Sequence, residues 1–544
     1  MRNIATVLIA ILLYSSAFGR TTLHTITDVN RTPHALNSHA EAECRSSLEV
    51  NYTTKHLISN EELDIRGGAV YSRIKRLSNG EYLLLCQGHH IGSYIYYSIS
   101  NDLQRWEYRK VLFRPYAVTT SLGKDQRRFS TADAVVLQNG DIVVVCSYRA
   151  NKGYLHNVDC GIMMRRSSDN GKSWSKEEII YKGSNWEPYL LQLPDGRLQC
   201  YFTDNLHSTK NSGTSVIISH DNGKSWSEKS IVCRQLRHTH EDGSRIYTDQ
   251  MPSFRLLNDG KTLLGFMEAD CAIPGEKGNF RMSVVRQHGT DWKPLMGDEV
   301  GPADRNSNVM KGAGGYVSTF RSGETVLSCN IGTRFSLKVG NHTGTKFNGG
   351  AWEKDWMRIF GGYWGSTEVI DSHRLLATVH CKKGVQYAIC HLNHDISAPH
   401  ATVKVDGKAN EWRNDEALFV GSDSPSQAIV RASQNREHIY LLVECRSDDT
   451  DAEVELRLGN LPKFSVWSNG YDKSAAKPYG IRAKSRKATT TKGERGFVCE
   501  ISIPKSSFKG DTALPLWLSL NAEGKQDTFF GNTLPQIIVE AVSR

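Results

Sequence analysis

The sequence predicts an all-β protein, a six-bladed β-propeller followed by a β-sandwich. Three observations predict it. A strand–turn–strand unit recurs six times along the first two thirds of the chain. A second, Trp-containing turn falls between those units and in phase with them. Beyond His394 both patterns stop, and a different run of strand-like segments begins.

The N-terminus reads as a signal peptide over residues 1–19. Arg2 supplies the positive charge, Ile4 to Tyr14 the apolar stretch, and Ala17-Phe18-Gly19 the small residues of a cleavage site. The apolar run is too short to span a bilayer, and no later segment reaches about 18 apolar residues. The mature chain is therefore expected to be exported, secreted or periplasmic. Residues 20–60 show little pattern and read either as a leader or as a strand that closes the ring.

Residues 61–396 hold the propeller repeat. Its copies are Leu77-Ser-Asn-Gly80, Leu137-Gln-Asn-Gly140, Leu193-Pro-Asp-Gly196, Leu257-Asn-Asp-Gly260 and Phe320-Arg-Ser-Gly323, with a degenerate Ile370-Asp-Ser-His373. Each turn is followed by an apolar run. Asn-Gly and Asp-Gly between apolar runs signal a hairpin, because both residues tolerate positive φ. Short strands at periods of about 50 to 64 residues indicate propeller blades. Six units make six blades.

Between these hairpins lie Ser168-Asp-Asn-Gly171-Lys-Ser-Trp174 and Ser219-His-Asp-Asn-Gly223-Lys-Ser-Trp226, with a worn copy at Ser100-Asn-Asp-Leu-Gln-Arg-Trp106. The Asp can hold nearby backbone N–H groups, the Gly supplies positive φ, and the Trp packs between blades. These turns resemble the Asp boxes, or BNR repeats, of sialidases and related propeller glycosidases. The resemblance covers roughly residues 60 to 395 and implies that the boxes join the third and fourth strands of a blade.

Residues 397–544 are the expected sandwich. They open with Val405-Asp406-Gly-Lys-Ala-Asn-Glu411-Trp412 and continue with strand-like runs at 427–432, 438–445, 452–458, 496–503 and 516–520. The opening resembles the IDG-x(3)-EW signature of family 9 carbohydrate-binding modules. That likeness implies carbohydrate binding, with Trp467, Tyr471 and Trp517 as candidate platforms or, equally, core aromatics.

Composition narrows the function classes. The net charge of +9 comes from scattered Lys and Arg, without a basic helix or an RNA-binding signature. Nucleic acid is not an expected partner; carbohydrate is. Of the twelve cysteines, Cys86, Cys146, Cys200 and Cys329 fall in apolar strands and read as buried thiols rather than bridges. No Cys/His spacing suits a metal, and no cofactor motif is present. Asn30, Asn51 and Asn341 head glycosylation sequons.

The repeat also locates candidate site residues. If the first strand of each blade runs from one mouth to its turn, residues nine before the turn Gly are equivalent there: Tyr71, Thr131, Glu187, Met251, Gly314 and Trp364. Residues eight after it mark the return to that mouth: Gly88, Tyr148, Asp204, Glu268, Ile331 and Cys381. Adjacent blades thus present Glu187 and Glu268 to one cavity. Glycoside hydrolysis needs such a pair, one carboxyl as acid and one as nucleophile or base. Arg73, His90, Asp133, Tyr148, Arg149, Trp186, Asp204, Asp249 and Trp364 are candidate substrate contacts, since Arg and Asp fork onto sugar hydroxyls or carboxylates and Trp stacks on a sugar face. Asp204 and Glu241 are reserve carboxylates, and His90 or His240 is a weaker candidate base.

The segment Glu187-Pro-Tyr-Leu-Leu-Gln-Leu-Pro-Asp-Gly196 resembles the E-P-[FY]-L-x(2)-L-P-D-G context of the acid/base Glu in exo-arabinanases of glycoside hydrolase family 93. Gln250-Met251-Pro252 is similar to that family's G-M-P segment, with Gln in place of Gly. The resemblance implies Glu187 as acid/base, Glu268 as nucleophile, a retaining mechanism and exo action. Other readings stay open. Tyr71-Ser-Arg73-Ile is loosely similar to the [FY]-R-I-P opening of sialidases, whose Arg grips the sialate carboxylate. A sugar-binding propeller without catalysis is another, and a His/Tyr lyase a further one.

Overall fold

The computed structural model describes residues 22–23, 44, 46–65, 67–89, 92–153, 156–205, 212–234, 249–270, 280–292, 301–302, 304–348, 357–412, 416–421, 424–490, 493–528 and 534–540 of the 544. The expected signal peptide lies outside them. Two compact units emerge. Among the described residues, one runs from residue 44 to 394, and the other comprises residues 395–540 with 22–23.

The first unit is a six-bladed β-propeller. Blade 1 is Ala69–Arg76, Tyr82–Gly88, Ile95–Ser100 and Glu107–Phe113, paired antiparallel in that order. Blade 2 runs from Gly123–Val136 through Ile142–Ala150 and Cys160–Ser167 to Glu178–Lys182. Blade 3 is built from Asn185–Gln192, Leu198–Asp204, Gly213–Ser219 and Ser230–Cys233. Blades 4 and 5 share the long strand Asp304–Thr319. Its first half is the outer strand of blade 4, pairing with Phe280–His288, and its second half pairs with Thr325–Ile331 of blade 5. In blade 6, Ser47–Val50 and His56–Ser59 pair with Gly384–Asn393, so the segment before the first repeat closes the ring. The innermost strands stand side by side, and Ala69–Arg76 completes the circle against Tyr363–Val369.

Hydrophobic alternation makes this closure stable. Every blade buries one strand face against its predecessor and the other against its successor, giving six apolar cores for six blade interfaces. Cys86, Cys146, Cys200 and Cys329 are buried in four different ones. All eleven described cysteines are free thiols. Asn51 and Asn341 are each 1% exposed, so the folded chain presents neither amide to a glycan.

The Asp boxes pin the outer turns. In blade 2 the box serine is Ser167, one residue earlier than the aligned Ser168. Its hydroxyl donates to Asp169 Oδ1 at 2.8 Å and accepts the Gly171 N–H at 2.9 Å. Asp169 also accepts the Ser173 N–H at 2.9 Å and the Ser173 hydroxyl at 2.6 Å, which holds its carboxyl down at about 2. Asp221 repeats these bonds in blade 3. Each box Trp then reaches back to the preceding blade. Trp174 packs edge-on against Tyr97 at 5.5 Å, and Trp106 against Tyr387 at 6.1 Å. Trp174→Ala is expected to lower propeller stability by about 2 kcal/mol, given a half-buried indole and a lost aromatic pair. Urea unfolding of the two proteins measures it.

The second unit is a β-sandwich. One sheet contains Arg482–Thr490, Arg495–Pro504, His438–Arg446, Gln427–Gln434 and Leu418–Val420. The other contains Gln536–Ile538, Ala513–Ala522, Glu453–Leu458, Phe464–Trp467 and Gly470–Tyr471. Residues such as Leu441, Val443, Val454, Leu456, Ile501 and Leu518 fill the space between them. The Asp406–Trp412 motif forms a latch. The buried Glu500 accepts the N–H groups of Asp406, Gly407 and Lys408 at 2.8–3.3 Å on one oxygen and the Trp412 indole N–H at 2.8 Å on the other. Gly407 needs positive φ there, at +80°. Trp412 is a buried core residue of this unit, while Trp517 lies half-buried under the Lys463 ammonium, 3.4 Å from its ring centre.

Candidate functional site

A β-bulge interrupts the inner strand of all six blades at the same level. It falls at Tyr71, Thr131, Glu187, Met251, Gly314 and Trp364, where the ladder register slips. All six have left-handed φ between +47° and +67°. For the five that are not Gly this conformation costs on the order of 1–3 kcal/mol each, so the surroundings must hold it.

What holds it is a polar side chain from the second strand of the preceding blade. The Tyr71 N–H donates to His380 Nδ1 at 3.3 Å and that of Thr131 to Gln87 Oε1 at 2.6 Å. Those of Met251, Gly314 and Trp364 donate to Thr203 Oγ1 (2.8 Å), Glu268 Oε1 (2.6 Å) and Asn330 Oδ1 (2.6 Å). The sixth, at Glu187, is relayed. Ser147 is too short to reach, so the Glu187 N–H donates to Thr131 Oγ1 at 3.2 Å, and that hydroxyl donates to Ser147.

This pattern corrects the count of eight residues after the turn Gly. The blade 4 turn is one residue longer, because Leu257 N–H bonds to Thr262 O where Leu77 N–H bonds to Glu81 O. The peers of Glu268 are therefore Gln87, Ser147, Thr203, Asn330 and His380, not Tyr148 and Asp204. Side chains alternate across a strand, so those two point to the preceding blade instead. Tyr148 packs in the blade 1–blade 2 core, its ring 4.5 Å from the Arg127 guanidinium. Asp204 is buried against the Ser215 hydroxyl and Lys229 Nζ, at 2.8 and 2.7 Å.

Glu187 and Glu268 face one mouth. Glu187 Oε2 accepts the Thr203 hydroxyl at 2.7 Å. Glu268 Oε2 accepts Gln250 Nε2 at 2.7 Å, while its other oxygen holds Gly314. Burial lifts both. Glu187 rises to about 8, chiefly by desolvation and partly through the charge of Glu268, against the pull of Thr203, Arg149 and Arg73. Glu268 rises only to about 7, since two N–H donors stabilise its anion. Glu268 thus ionises first, and its charge keeps the proton on Glu187.

Below the bulges lies a second polar layer. Arg73, 3% exposed, spends Nη1 on the carbonyls of Ser72 and Trp364, both at 2.9 Å, and lies 3.9 Å over the Tyr71 ring. Asp133 accepts the Leu190 N–H at 3.2 Å and pairs with Lys75 at 3.6 Å; Lys75 also donates to the Tyr316 hydroxyl at 2.6 Å. Tyr71, Arg73, Asp133, Glu187, Met251 and Tyr316 line a cleft with room for a water, not a sugar ring. A sugar would sit above it, at the level of the bulges.

The other candidates divide. Arg149 lies 3.9 Å over the Trp186 ring, beside Glu187. Trp364 packs against Val70, Tyr71 and Met251 and stacks on His380 at 5.6 Å. Asp249 is fully buried in an ion pair with Arg305 at 2.6 Å, so its carboxylate serves the blade rather than the opening. His90, His240 and Glu241 lie outside the described residues. Thr203, Gln250 and Asn330 were missed. The sequence signal of Thr203 and Asn330 is a polar side chain seven residues after a turn Gly inside an apolar run, and that of Gln250 is its place directly before Met251 of the mouth ring.

A ring of six four-stranded blades with Asp-box turns, its mouth holding two carboxylates, defines a sialidase-like β-propeller. Residues 78–357 match the BNR repeat-like domain, and the chain belongs to that family. No curated protein matches it. Similar solved structures include the Fusarium graminearum family 93 α-L-arabinofuranosidase in complex with arabinobiose (16% identity, 62% of this chain, 97% of that one, TM-score 0.46). A Penicillium chrysogenum α-L-arabinanase complexed with arabinobiose gives 14%, 63%, 97% and 0.44, and a Hadza microbial sialidase 15%, 62%, 68% and 0.44.

Proposed function

We propose that this chain is an exported glycoside hydrolase that cuts sugars from the end of a glycan with retention, in the manner of an arabinanase. The observation that supports this most is the Glu187/Glu268 pair, two desolvated carboxyls at one mouth, of which Glu268 has the more hydrogen-bond donors to its anion. Glu187 donates its proton to the glycosidic oxygen as the bond to the anomeric carbon breaks. Glu268 attacks that carbon and forms a glycosyl ester. Water, losing a proton to Glu187, then displaces Glu268 and restores the hemiacetal. Arg149 on Trp186, together with Trp364, offers the donors and apolar faces to seat the sugar. Export rests on the leader at residues 1–19, and carbohydrate binding by the sandwich belongs to the same proposal.

Hydrolysis of aryl glycosides, arabinan and sialosides by wild type, Glu187→Ala and Glu268→Ala tests it. Release of one sugar by the wild type alone supports the pair. Cleavage of sialosides that survives both substitutions would sink it and favour a sialidase built on Arg73. The pH profile is a second expectation. Activity needs Glu268 ionised and Glu187 protonated, so kcat/KM should be bell-shaped and peak between about 7 and 8. A flat profile from pH 5 to pH 9 would contradict this assignment.

A further inference from the structure

We propose that the flank of blade 1 carries a second carbohydrate site, off the propeller axis, which takes a neutral sugar ring against tyrosine and holds its hydroxyls between an Asp and an Arg. An open cavity of about 310 Å³ lies there, lined by Asp64, His89, Tyr94, Tyr96, Val111 and Arg114 among others. That volume is in the range of small-ligand sites. Unlike the axial cleft, it admits a ring.

The chemistry of the lining selects the ligand. The half-buried Tyr94 ring faces the cavity beside Val111, backed by the buried Tyr96 ring, whose centre lies 5.8 Å away and whose plane is tilted by 35°. Such a surface suits the C–H face of a sugar. Arg114 is exposed and lines the cavity, its guanidinium 5.7 Å from the centre of the Tyr94 ring. Asp64 is exposed too and supplies acceptors. Vicinal hydroxyls both donate and accept, so one carboxylate and one guanidinium satisfy them together. The same pairing disfavours a phosphate or sulfate, whose charge Asp64 would repel. A lipid tail would leave both charges without partners.

The cavity adjoins the mouth through one strand end. Gln87, which holds the Thr131 bulge, donates Nε2 to the carbonyl of His89 on the cavity rim at 3.2 Å. The cavity can therefore serve as a distal subsite for the glycan whose end enters the mouth. That placement rests on the glycosidase reading, whereas the site itself does not.

Saturation-transfer NMR titrations on the full chain test it, with Glu187→Gln to prevent turnover and with arabinotriose, galactotriose and 3′-sialyllactose as probes. At least one neutral trisaccharide should bind. Adding Arg114→Ala or Tyr94→Ala should weaken it about tenfold, a loss of about 1.4 kcal/mol. Arg114→Ala removes an exposed side chain and keeps the fold, so the outcome does not hang on Tyr94. In an otherwise wild-type chain both substitutions should leave hydrolysis of a single-sugar aryl glycoside unchanged. If no neutral probe binds, or binding is the same in both variants, the site is overturned even where Glu187 proves essential. If binding falls with Arg114 while Glu187→Ala remains fully active, the second site stands and the axial mechanism falls.

Discussion

Glu187→Gln should lower kcat by about 10²–10⁴-fold, the usual loss on removing a general acid, and at the same time make the protein more stable. The two effects have one cause. Burial raises Glu187 from 4.5 to about 8, so the folded state binds its proton more tightly than the unfolded chain does. Between those values the native state carries protons that the unfolded state has lost, and stability falls as pH rises. A neutral amide of the same shape does not titrate. The variant should gain little at pH 4 and on the order of 2 kcal/mol at pH 8, after allowing for the opening above the carboxyl. Thermal melts of both proteins across that range, beside initial rates on the best substrate, make the check. A variant that is inactive and less stable at every pH would show Glu187 to be a structural group paired in its charged form.

Glu268 is not the mirror of Glu187. Its carboxylate holds the Gly314 bulge and the Gln250 amide, so Glu268→Ala strips a strained turn of its partner as well as removing a nucleophile. Thr203, Asn330, Gln87 and His380 hold bulges in the same way without any carboxylate. Position 268 therefore needs only an acceptor for the fold, and the choice of Glu there is what asks for a chemical explanation.

The repeat made the blades readable because an Asn-Gly or Asp-Gly turn is fixed by backbone conformation, which a residue type can announce. It made the mouth readable at the bulge level, since the stretch from bulge residue to turn residue has the same length in all six blades. The return strand was less legible. Lys261 lengthens one turn, and a one-residue slip moves a side chain to the other sheet face. The miscount still found Glu268, because the extra residue restored its parity, but it sent Tyr148 and Asp204 to the wrong side. The bulges themselves could not be foreseen. Tyr, Thr, Glu, Met and Trp give no hint of positive φ, and only Gly314 suits it. The Asp249–Arg305 pair was equally hidden, since Arg305 arrives on a strand that two blades share.

The Asp406–Trp412 motif invites a carbohydrate-binding reading, yet its bonds point to stability, and Glu500→Ala separates the two. Three backbone N–H groups and an indole N–H converge on this one buried carboxylate. Burial raises its pKa above 4.5, while the same donors pull it back. Truncation takes the acceptor from the Asp406, Gly407 and Trp412 donors, while the Lys408 N–H keeps Asp406 Oδ1 at 3.1 Å. Each buried orphan costs about 1–3 kcal/mol, and relaxation recovers part of the sum. The expected loss is about 3–5 kcal/mol, in line with breaking other buried charged networks, and calorimetry should place it in the transition of the sandwich. Glu500→Gln should cost less, about 1–3 kcal/mol, because its carbonyl still accepts the backbone donors while its amide confronts the Trp412 N–H. Should Glu500→Ala instead keep the melting temperature and abolish binding of a glycan by the sandwich, the latch would be a ligand site.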